Sequence, residues 1–332
     1  MESVLVTGAT GFIGGHLVGR LVALGYPVRV LVRDRSRLGS DLAGRVEVVE
    51  GSLADRAALA RAVAGVERIF HCAADVKTWD RRENYLAANV EGVANLLAAI
   101  GEKNPGLRRL VHLSTVDVYG FPERPCDEDA PLVAAGFGYG DSKLRGECLL
   151  RERATQLGIP TVILRPANVF GPGSPFVDRV GEALEGGLML KVDGGRAHAG
   201  VVDVDTVVAA MLWASDSPVA AGRCYNVRDD GDATWAQVIE VMQGHLGRHG
   251  LTVNLPFSVA EVAARACEMA CRIALPQREP LLHPLVVRIF GRTCGHLNDR
   301  LRADGGLVAR SGGIAETIAR SMAWYRESRS GR

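Results

Sequence analysis

Short apolar runs, many of them β-branched, alternate with longer amphipathic segments through the first half of this 332-residue chain. The runs span residues 4–6, 28–32, 46–49, 68–72, 109–114 and 161–164. Several are apolar at consecutive positions, which is typical of strands buried on both faces. The segments 12–24, 56–63, 85–100 and 139–157 have helical periodicity and are long enough to cross back over a sheet. This order predicts an α/β fold with a doubly wound parallel sheet, the Rossmann fold.

The composition is that of an ordinary globular protein. Hydrophobic residues make up 47% of the chain, and 39 basic against 38 acidic residues leave a net charge of +1. Because so small a charge favours neither nucleic acid nor an anionic membrane, we expect a small-molecule substrate, no nucleic-acid partner and no membrane span. The seven cysteines include no C-x-x-C pair, and the N-terminus has no signal-peptide pattern, so we expect a cytoplasmic protein.

Two pairs of residues could suggest a metal site. His245 and His249 are four residues apart on an expected helix, and Cys267 and Cys271 have the same spacing. Neither pair has a third ligand nearby, so we interpret the histidines as surface residues and the cysteines as packing residues. No metal is predicted.

A glycine-rich turn follows the first strand and leads into the first helix. Glycines at such a place allow a tight turn, let the backbone approach a pyrophosphate and let the helix pack closely on the strand. Free N–H groups at the start of the helix face the phosphates. Glycine-rich turns also cap ordinary strand–helix joints, but the position directly after a first strand favours a dinucleotide site. Its residues are Thr7, Gly8, Gly11, Phe12, Ile13 and Gly14.

The spacing G-x-x-G-x-x-G in TGATGFIG resembles the fingerprint of the extended short-chain dehydrogenase/reductase superfamily, which includes the NAD(P)-dependent epimerases and dehydratases. The resemblance covers nearly the whole chain. Residues 225–227, 234–235, 279–288 and 296–298 are most similar to the 3β-hydroxysteroid dehydrogenase-like branch, and residues 300–325 to the terminal segment of the superfamily. The resemblance implies an NAD(P)-dependent enzyme and a homodimer formed through helices that flank the active-site strand.

The chain after Pro166 is expected to build a second lobe. Glycine- and proline-rich loops, including residues 171–175, replace the regular alternation there, whereas residues 201–212 and 224–227 look like returns to the main sheet. We therefore expect a dinucleotide-binding domain over residues 1–167, with returns near 198–228. Residues 168–197 and 229–332 are expected to form a smaller, mixed α/β substrate-binding lobe.

The end of the second strand bears on the choice of cofactor. An NAD-specific protein usually has a carboxylate at this position to accept from the ribose hydroxyls. Arg33 stands there instead, followed by Arg35 and Arg37, which could pair with a 2′-phosphate. We therefore favour NADP(H), while the adjacent Asp34 leaves NAD(H) open.

The resemblance also implies where the rest of the cofactor lies. Small residues after the fourth strand leave room beside it, and a serine replaces the usual aspartate after the third strand. The matching positions are Ser52 and Leu53 at adenine, Ala73 and Ala74 beside the pyrophosphate and ribose, and Pro166 and Val169 at the nicotinamide.

Tyr139 and Lys143 are four residues apart at the start of a helix, so both side chains can reach one ligand. A free phenol has a pKa near 10, so a tyrosine that exchanges protons near neutral pH needs a nearby cation to stabilise its anion. Lys143 supplies that charge, and the resemblance implies that it also holds the nicotinamide ribose. By itself Y-x-x-x-K usually marks only a surface helix; its place after the fifth strand makes it a catalytic candidate.

Three further catalytic residues follow from the resemblance. The alignment through Val118-Tyr119-Gly120 places Thr115 at the serine/threonine position whose hydroxyl polarises the substrate oxygen. A shift of one residue would give this role to Ser114 instead. Asn89 matches the helix asparagine that braces the active site in this superfamily.

These residues predict an NADP(H)-dependent oxidoreductase that interconverts a ketone and a secondary alcohol on a small, apolar, steroid-like or secondary-metabolite substrate. The alternative is a nucleotide-sugar epimerase or dehydratase, in which Asn168 would bind the nucleotide sugar. Against it, Asp117 is not part of an acidic dyad, residues 199–202 lack the arginine that many epimerases use for the diphosphate, and Asp203 replaces the usual His or Tyr. Asp117 and Asn168 are the candidate substrate residues. A cofactor-binding regulator without catalysis is a third reading, disfavoured because Tyr139 and Lys143 are both present.

Residues 258–273 predict an amphipathic helix. Its charged row contains Glu261, Arg265, Glu268 and Arg272, and its apolar stripe contains Val259, Val262, Ala266, Met269 and Ile273. We expect the stripe to pack on the core, with a lid over an apolar pocket or contact with a lipid surface as the alternatives.

Overall fold

The computed structural model describes residues 2–136, 138–247, 251–274, 279–280, 282–306 and 313–330. The strands are β1 (Val4–Thr7), β2 (Val28–Val32), β3 (Glu47–Glu50), β4 (Arg68–His71), β5 (Arg109–Leu113), β6 (Thr161–Pro166), β7 (Asn168–Phe170), β8 (Leu188–Val192), β9 (Val201–Asp203), β10 (Cys224–Val227) and β11 (Leu251–Leu255). The helices are α1 (Phe12–Ala23), α2 (Arg56–Val63), α3 (Arg82–Leu86), α4 (Gly92–Lys103), α5 (Gly138–Gln156), α6 (Pro175–Glu185), α7 (Val204–Asp216), α8 (Trp235–Leu246), α9 (Phe257–Ala274), α10 (Pro284–Arg292), α11 (Asp299–Ala303) and α12 (Gly313–Ser330).

A seven-stranded sheet with the order β3-β2-β1-β4-β5-β6-β10 forms the centre of the fold. Every neighbouring pair in it is parallel. The strand order reverses between β1 and β4, and in open α/β sheets ligands bind outside the carboxyl ends of the strands at such a reversal. The expected doubly wound Rossmann fold is therefore confirmed, and its crevice lies where β1 and β4 end.

Helices cover both faces of this sheet. α1 and α7 pack against one face, and α2, α4 and α5 pack against the other. All residues of β1, β4 and β5 are buried. This double burial explains why these strands have apolar residues at consecutive positions, 4–6, 69–70 and 110–111, rather than only at alternate ones.

The C-terminal half interleaves two structures. β10 joins the main sheet beside β6, as expected for residues 224–227. Residues 201–203 do not return to that sheet, because β9 pairs with β7 in a separate two-stranded sheet. The α7 helix that follows β9 does pack on the main sheet, so the expected return is made by a helix and not by a strand.

A second core lies away from the main sheet. It is formed by α6, α8, α9, α10 and α12 with the small sheet β8–β11. Trp235 is fully buried in it, and its indole N–H donates to the Ile289 carbonyl at 2.8 Å. Phe176 and Phe290 stack within the same core. Among the described helices, none is both long and apolar enough to cross a membrane.

The orientation of α9 differs from the expectation. Its apolar stripe faces outward, with exposed fractions of 50% for Val259, 70% for Val262, 64% for Met269 and 79% for Ile273. The face that packs into the second core carries the small residues Ala260 and Ala264. The expectation that the stripe packs on the core is therefore wrong: the charged row pairs with itself and with α10, and this leaves the alanines to make the close approach to the core.

Candidate active site

The turn between β1 and α1 has the geometry that a dinucleotide requires. Gly8 adopts a φ of +76°, and a Cβ there would lie 2.6 Å from the Ala73 nitrogen. A Cβ on Gly14 would lie 2.1 Å from the Gly8 oxygen, so only glycine allows the helix to approach the turn. Gly11 precedes α1 without a side-chain cap, and the N–H groups of Phe12 and Ile13, in the first turn, have no acceptor within the helix. This open helix start fits a pyrophosphate.

The neighbouring strand end is fastened to the same turn. The Thr7 hydroxyl lies 2.7 Å from the His71 Nδ1 atom and accepts from the Ala73 N–H at 3.3 Å. Thr7 thereby holds the segment of Ala73 and Ala74 against the glycine turn. His71 is buried, and burial lowers its pKa to about 3, so its imidazole is neutral.

The positions expected at adenine follow β3. The Leu53 side chain packs where a Cβ on Gly92 would be, with its Cδ1 at 2.7 Å, and its carbonyl accepts from Asn95 at 3.0 Å. The Ser52 hydroxyl accepts from the Ala54 N–H at 3.2 Å. Leu53 is thus held at the start of α4, and both residues follow β3 at the edge of the sheet that carries the glycine turn.

The carboxylate of Asp34, which follows β2, accepts its hydrogen bonds from a residue in the same turn. Asp34 accepts from both the hydroxyl and the backbone N–H of Ser36, and these bonds lower its pKa. Arg33 and Arg35 are exposed, and within the described part of the chain neither has an ion-pair partner. The free charges at this strand end are therefore cationic.

Tyr139 and Thr115 are brought together by two different elements. Thr115 follows β5, and Tyr139 lies in the first turn of α5. The Thr115 hydroxyl is close enough to the Tyr139 phenol to act on its pKa, and the Thr115 oxygen accepts from the Asp117 N–H at 3.2 Å. A protonated phenol and a hydroxyl therefore meet at the carboxyl edge of the sheet, one strand from the crevice.

The pKa of Tyr139 differs from the expectation. Burial raises it, and the charge of Asp117 raises it further, so that the phenol keeps its proton in neutral solution. The predicted lowering of the Tyr139 pKa by the charge of Lys143 is not found. Lys143 is buried and donates to the Leu113 carbonyl at 2.6 Å, and burial lowers its pKa to about 8. The tyrosine is thus set up as a proton donor.

Ser114 and Thr115 directly follow β5 and lie near different residues of α5. Thr115 contacts Tyr139, whereas Ser114 is buried beside Glu147 of α5. The arrangement therefore places Thr115, and not Ser114, next to the tyrosine.

Asn89 connects the site to α5. It lies in a π-helical turn, Ala87–Glu91, and such turns are frequent at functional sites. Its side-chain amide donates to the Asp75 carbonyl and to the Ser142 hydroxyl, each at 2.9 Å, and its oxygen accepts from the Asp75 N–H. Asn89 thereby ties the chain after β4 to the helix that carries Tyr139.

The segment expected at the nicotinamide and substrate follows β6. Asn168 donates its side-chain amide to the Ala199 carbonyl at 2.7 Å, which fastens β7 to the chain before β9. Val169 follows Asn168 in β7, which begins two residues after Pro166, the last residue of β6. Asp203 is fully buried, caps α7 and accepts from Thr317 of α12 at 2.8 Å. Asp203 therefore fastens two helices and does not face a ligand.

Two features of the site were missed by the sequence interpretation. One is a cleft of about 720 Å³ with α9 and α10 on one side and α3 and α5 on the other. Gly138 and Ser142, which flank Tyr139 on α5, line it. The other is a buried ion pair between Glu147 and Arg165 beneath the site. No local pattern signals either feature, since each joins residues that are distant in sequence. The described arginines of the cleft are Arg82, Arg145, Arg265, Arg272 and Arg288.

The metal candidates stay apart from this site. Cys267 and Cys271 lie on α9, and His245 lies at the end of α8, while His249 falls outside the described residues. No group of three His, Cys, Asp or Glu side chains in the described ranges could hold a metal ion.

A dinucleotide turn at the β1–α1 junction and a Tyr–Lys helix after β5 define an NAD(P)-dependent short-chain dehydrogenase/reductase. The chain matches the NAD dependent epimerase/dehydratase family over residues 4–227, and it belongs to that family. The expected superfamily is thus confirmed, and the protein is an enzyme of this type.

Two relatives that are named as reductases match most of this chain. A 4-hydroxy-2-methyl-3-oxo-4-farnesyl-3,4-dihydroquinoline-1-oxide ketoreductase from Stigmatella aurantiaca is 31% identical over 310 residues, 92% of this chain and 91% of the relative. The 2-alkyl-3-oxoalkanoate reductase of Shewanella oneidensis is 28% identical over 316 residues, 90% of this chain and 80% of the relative. Other relatives are named as a decarboxylase of a UDP-sugar and as an epimerase of a sugar linked to diphospho-undecaprenol, so the family leaves the substrate open.

A solved structure shares the whole fold. The protein MoeE5, in complex with UDP-glucose and NAD, aligns with a TM-score of 0.78 and 24% identity over 98% of this chain and 99% of that chain. At this identity the likeness establishes the fold alone.

Proposed function

We propose that the protein reduces a ketone to a secondary alcohol with NADPH, on a small substrate that carries an apolar chain. The observation that carries the proposal is the placement of Thr115 beside Tyr139, two strands from the glycine turn. The same pair serves the reverse oxidation, since the proton and the hydride then travel in the opposite directions.

The proposed mechanism assigns a separate task to each side chain. The nicotinamide, when bound, supplies the hydride to the carbonyl carbon. Thr115 donates a hydrogen bond to the carbonyl oxygen and so stabilises the negative charge that develops there. Tyr139 gives its proton to that oxygen, and the raised pKa of the phenol keeps it protonated until then. Lys143, with a pKa lowered to about 8 by burial, stabilises the phenolate that remains.

Two observations favour a ketoreductase over a nucleotide-sugar epimerase. The buried Asp203 binds Thr317 and Arg320 of α12, so that position is not available to a diphosphate. The name of the Stigmatella relative specifies a farnesyl group and a 3-oxo group with a hydroxyl on the adjacent 4-position. A substrate with an apolar chain beside the reacting carbonyl fits the proposal.

Arginine at the end of β2 supports the choice of NADP(H). Replacing Arg33 with alanine removes a charge-assisted contact to the 2′-phosphate, so the Kd for NADPH should rise about 10-fold or more. The Kd for NADH should change little, because that cofactor has no phosphate at this position. Fluorescence titration of the purified protein with both cofactors measures the effect.

The control for this titration is Arg45→Ala, since Arg45 is also exposed but precedes β3 at the opposite edge of the sheet. It should leave both dissociation constants unchanged. Equal weakening of NADPH and NADH by Arg33→Ala would contradict a role in recognising the 2′-phosphate.

A cofactor-consumption assay tests the proposed reaction. Purified protein with excess NADPH is given a panel of alkyl ketones, ketosteroids and UDP-sugars, and absorbance at the nicotinamide band is followed. A ketoreductase consumes one NADPH for each ketone reduced. Conversion of a UDP-sugar with no net change in the cofactor would instead establish the epimerase, and the proposal would be abandoned.

A further inference from the structure

The cleft next to Tyr139 has charged helices on both sides. On α5 it is lined by Gly138, Asp141, Ser142 and Arg145, whose spacing of three and four residues places them on one face of the helix. Tyr139 directly follows the first of them, so this face borders the reacting phenol. The volume of about 720 Å³ is within the usual range for pockets that hold a small organic ligand. The cleft can therefore hold the part of a substrate that lies beyond the reacting carbonyl.

The α9–α10 side of the cleft has more guanidinium groups than carboxylates. Arg272 pairs with Glu268 at 2.7 Å. Arg265 and Arg288 both pair with Glu261, at 3.2 and 2.6 Å. The Nε–H of Arg288 is buried and has no acceptor among the described residues. Three guanidinium groups thus share two carboxylates on this side.

The α3–α5 side carries two arginines without a counter-charge. Arg82 of α3 and Arg145 of α5 line the cleft, and neither forms an ion pair with any residue that the structure describes. Of the two carboxylates on this side, Asp80 pairs with Lys77 at 2.5 Å, and Asp141 accepts from a backbone N–H before α5 at 3.2 Å. The lining therefore holds five guanidinium groups against four carboxylates, one of which Lys77 neutralises.

The two sides of the cleft are held together by contacts within the protein. Thr78, which follows β4, donates to Glu279 at 2.5 Å, and Arg179 of α6 binds the same carboxylate at 2.8 Å. The Arg272 guanidinium lies over the Trp79 ring, 4.6 Å from its centroid. Binding in a preformed cleft costs less ordering than binding in one that must be assembled, which favours recognition of a ligand there.

We propose that this cleft binds an anionic group of the substrate, a carboxylate or a phosphate, through Arg82 and Arg145. Both anions match the planar, paired N–H donors of a guanidinium and form charge-assisted hydrogen bonds with it. Arg145 comes six residues after Tyr139, so the helical rise separates them by about 9 Å along α5. The substrate is accordingly a ketone whose apolar chain ends in an anion several carbon atoms from the carbonyl. This inference rests on the proposed ketoreductase function and adds the charge of the substrate to it.

A matched pair of ketones tests the preference. Nonan-2-one and 8-oxononanoate differ only in a terminal methyl group against a terminal carboxylate, and kcat and KM are measured for both with NADPH. The wild-type enzyme should have a KM about 5- to 10-fold lower for the keto acid, with a similar kcat, because the anion lies away from the reacting atoms. Raising the ionic strength from about 0.01 to 0.1 M shortens the screening length from about 30 to 10 Å, so the preference should shrink.

Glutamine variants of the two arginines remove the charge and keep a polar side chain. In Arg145→Gln, and more fully in the double variant with Arg82→Gln, the KM for 8-oxononanoate should rise to that for nonan-2-one. Arg153→Gln is the control, because Arg153 is an exposed arginine on the last turn of α5 that does not line the cleft. It alters the net charge by the same amount and should leave the ratio of the two KM values unchanged. Thermal midpoints should stay near the wild-type value in all of these variants, since the replaced side chains are exposed.

Equilibrium binding tests the site without turnover. Calorimetric titration of the protein in the presence of NADP⁺ compares octanoate, octyl phosphate and octan-1-ol, which share one alkyl chain. At least one of the anions should bind the wild type about 5- to 10-fold more tightly than the alcohol, and this advantage should be lost in Arg145→Gln. The anion that binds more tightly identifies the group as a carboxylate or a phosphate.

Each outcome separates the anion site from the ketoreductase function. Equal KM values for the two ketones in the wild type, or equal affinity for octan-1-ol and both anions, overturns the anion site while the function stands. A preference that persists in the double variant overturns the assignment to Arg82 and Arg145. Failure to oxidise NADPH with any ketone of the earlier panel overturns the function, and the titration then decides separately whether the cleft binds anions.

Discussion

Phenylalanine in place of Tyr139 should lower kcat for ketone reduction by about 100- to 10,000-fold, the usual contribution of a positioned general acid. The substitution removes a single oxygen, the one that lies beside Thr115 and whose proton would go to the product. Binding of NADPH should persist, because the glycine turn, Arg33 and Lys143 are unaltered. Stopped-flow measurement of hydride transfer, together with a titration of cofactor, separates the two effects.

Tyr26→Phe is the matched control for this change. Tyr26 is a partly buried tyrosine between α1 and β2 that packs against the core, far from β5 along the sheet. Its hydroxyl has no task in the proposed mechanism, so kcat should stay within about twofold of the wild-type value, as for most changes away from a site. Intact turnover in Tyr139→Phe would falsify the mechanism and leave Thr115 as the candidate acid.

Local sequence patterns were sufficient to predict the sheet, the glycine turn and the helix that carries Tyr139 and Lys143. Consecutive apolar residues predict strands that are buried on both faces, and β1, β4 and β5 are such strands. Residues four apart lie on the same face of a helix. The spacing of Tyr139 and Lys143 therefore predicts that they are neighbours on α5 without any knowledge of the tertiary structure. The glycine turn is equally local, because its φ angle and its close contacts arise within one strand–helix joint and the next strand.

Features that depend on packing between distant segments could not be predicted in this way. The hydrophobic periodicity of α9 gives its two faces correctly, but which face meets the core depends on what α10 and the second lobe present to it. The raised pKa of Tyr139 depends on burial and on Asp117, neither of which the Y-x-x-x-K spacing contains. Residues 201–203 have the composition of a buried strand, but composition does not decide which sheet a strand joins.

The buried ion pair beneath the active site gives the largest expected effect on stability. Glu147 and Arg165 have exposed side-chain fractions of 0% and 1%, and two guanidinium nitrogens of Arg165 donate to the carboxylate, its Nε at 3.1 Å. Tyr119 accepts from the same guanidinium and donates to Asn226 of β10 at 2.7 Å. The pair thereby ties α5, which carries Tyr139 and Lys143, to β6 and to the edge of the sheet.

Replacing Glu147 with glutamine should lower the free energy of unfolding by about 3–5 kcal/mol, because it leaves the Arg165 charge buried without a counter-charge. Urea unfolding at pH 7, followed by circular dichroism, measures the loss. Glu152→Gln is the control on the same helix. Glu152 is exposed and, among the described residues, accepts only from Gln156, at 3.2 Å, so its replacement should cost less than about 0.5 kcal/mol.

The pH dependence of the free energy of unfolding tests whether the Glu147–Arg165 ion pair stabilises the fold. Burial acts to raise the pKa of Glu147, but the hydrogen bonds and charge of Arg165 outweigh it and hold the pKa below its ordinary value of 4.5. A carboxyl with a lowered folded pKa stabilises the fold at neutral pH, and this contribution is lost as the pH falls through the folded pKa. Wild-type stability should therefore drop in acid more steeply than that of Glu147→Gln. Parallel acid profiles, or unfolding of Glu147→Gln and Glu152→Gln at the same urea concentration, would show that the pair is not what holds α5 to the sheet.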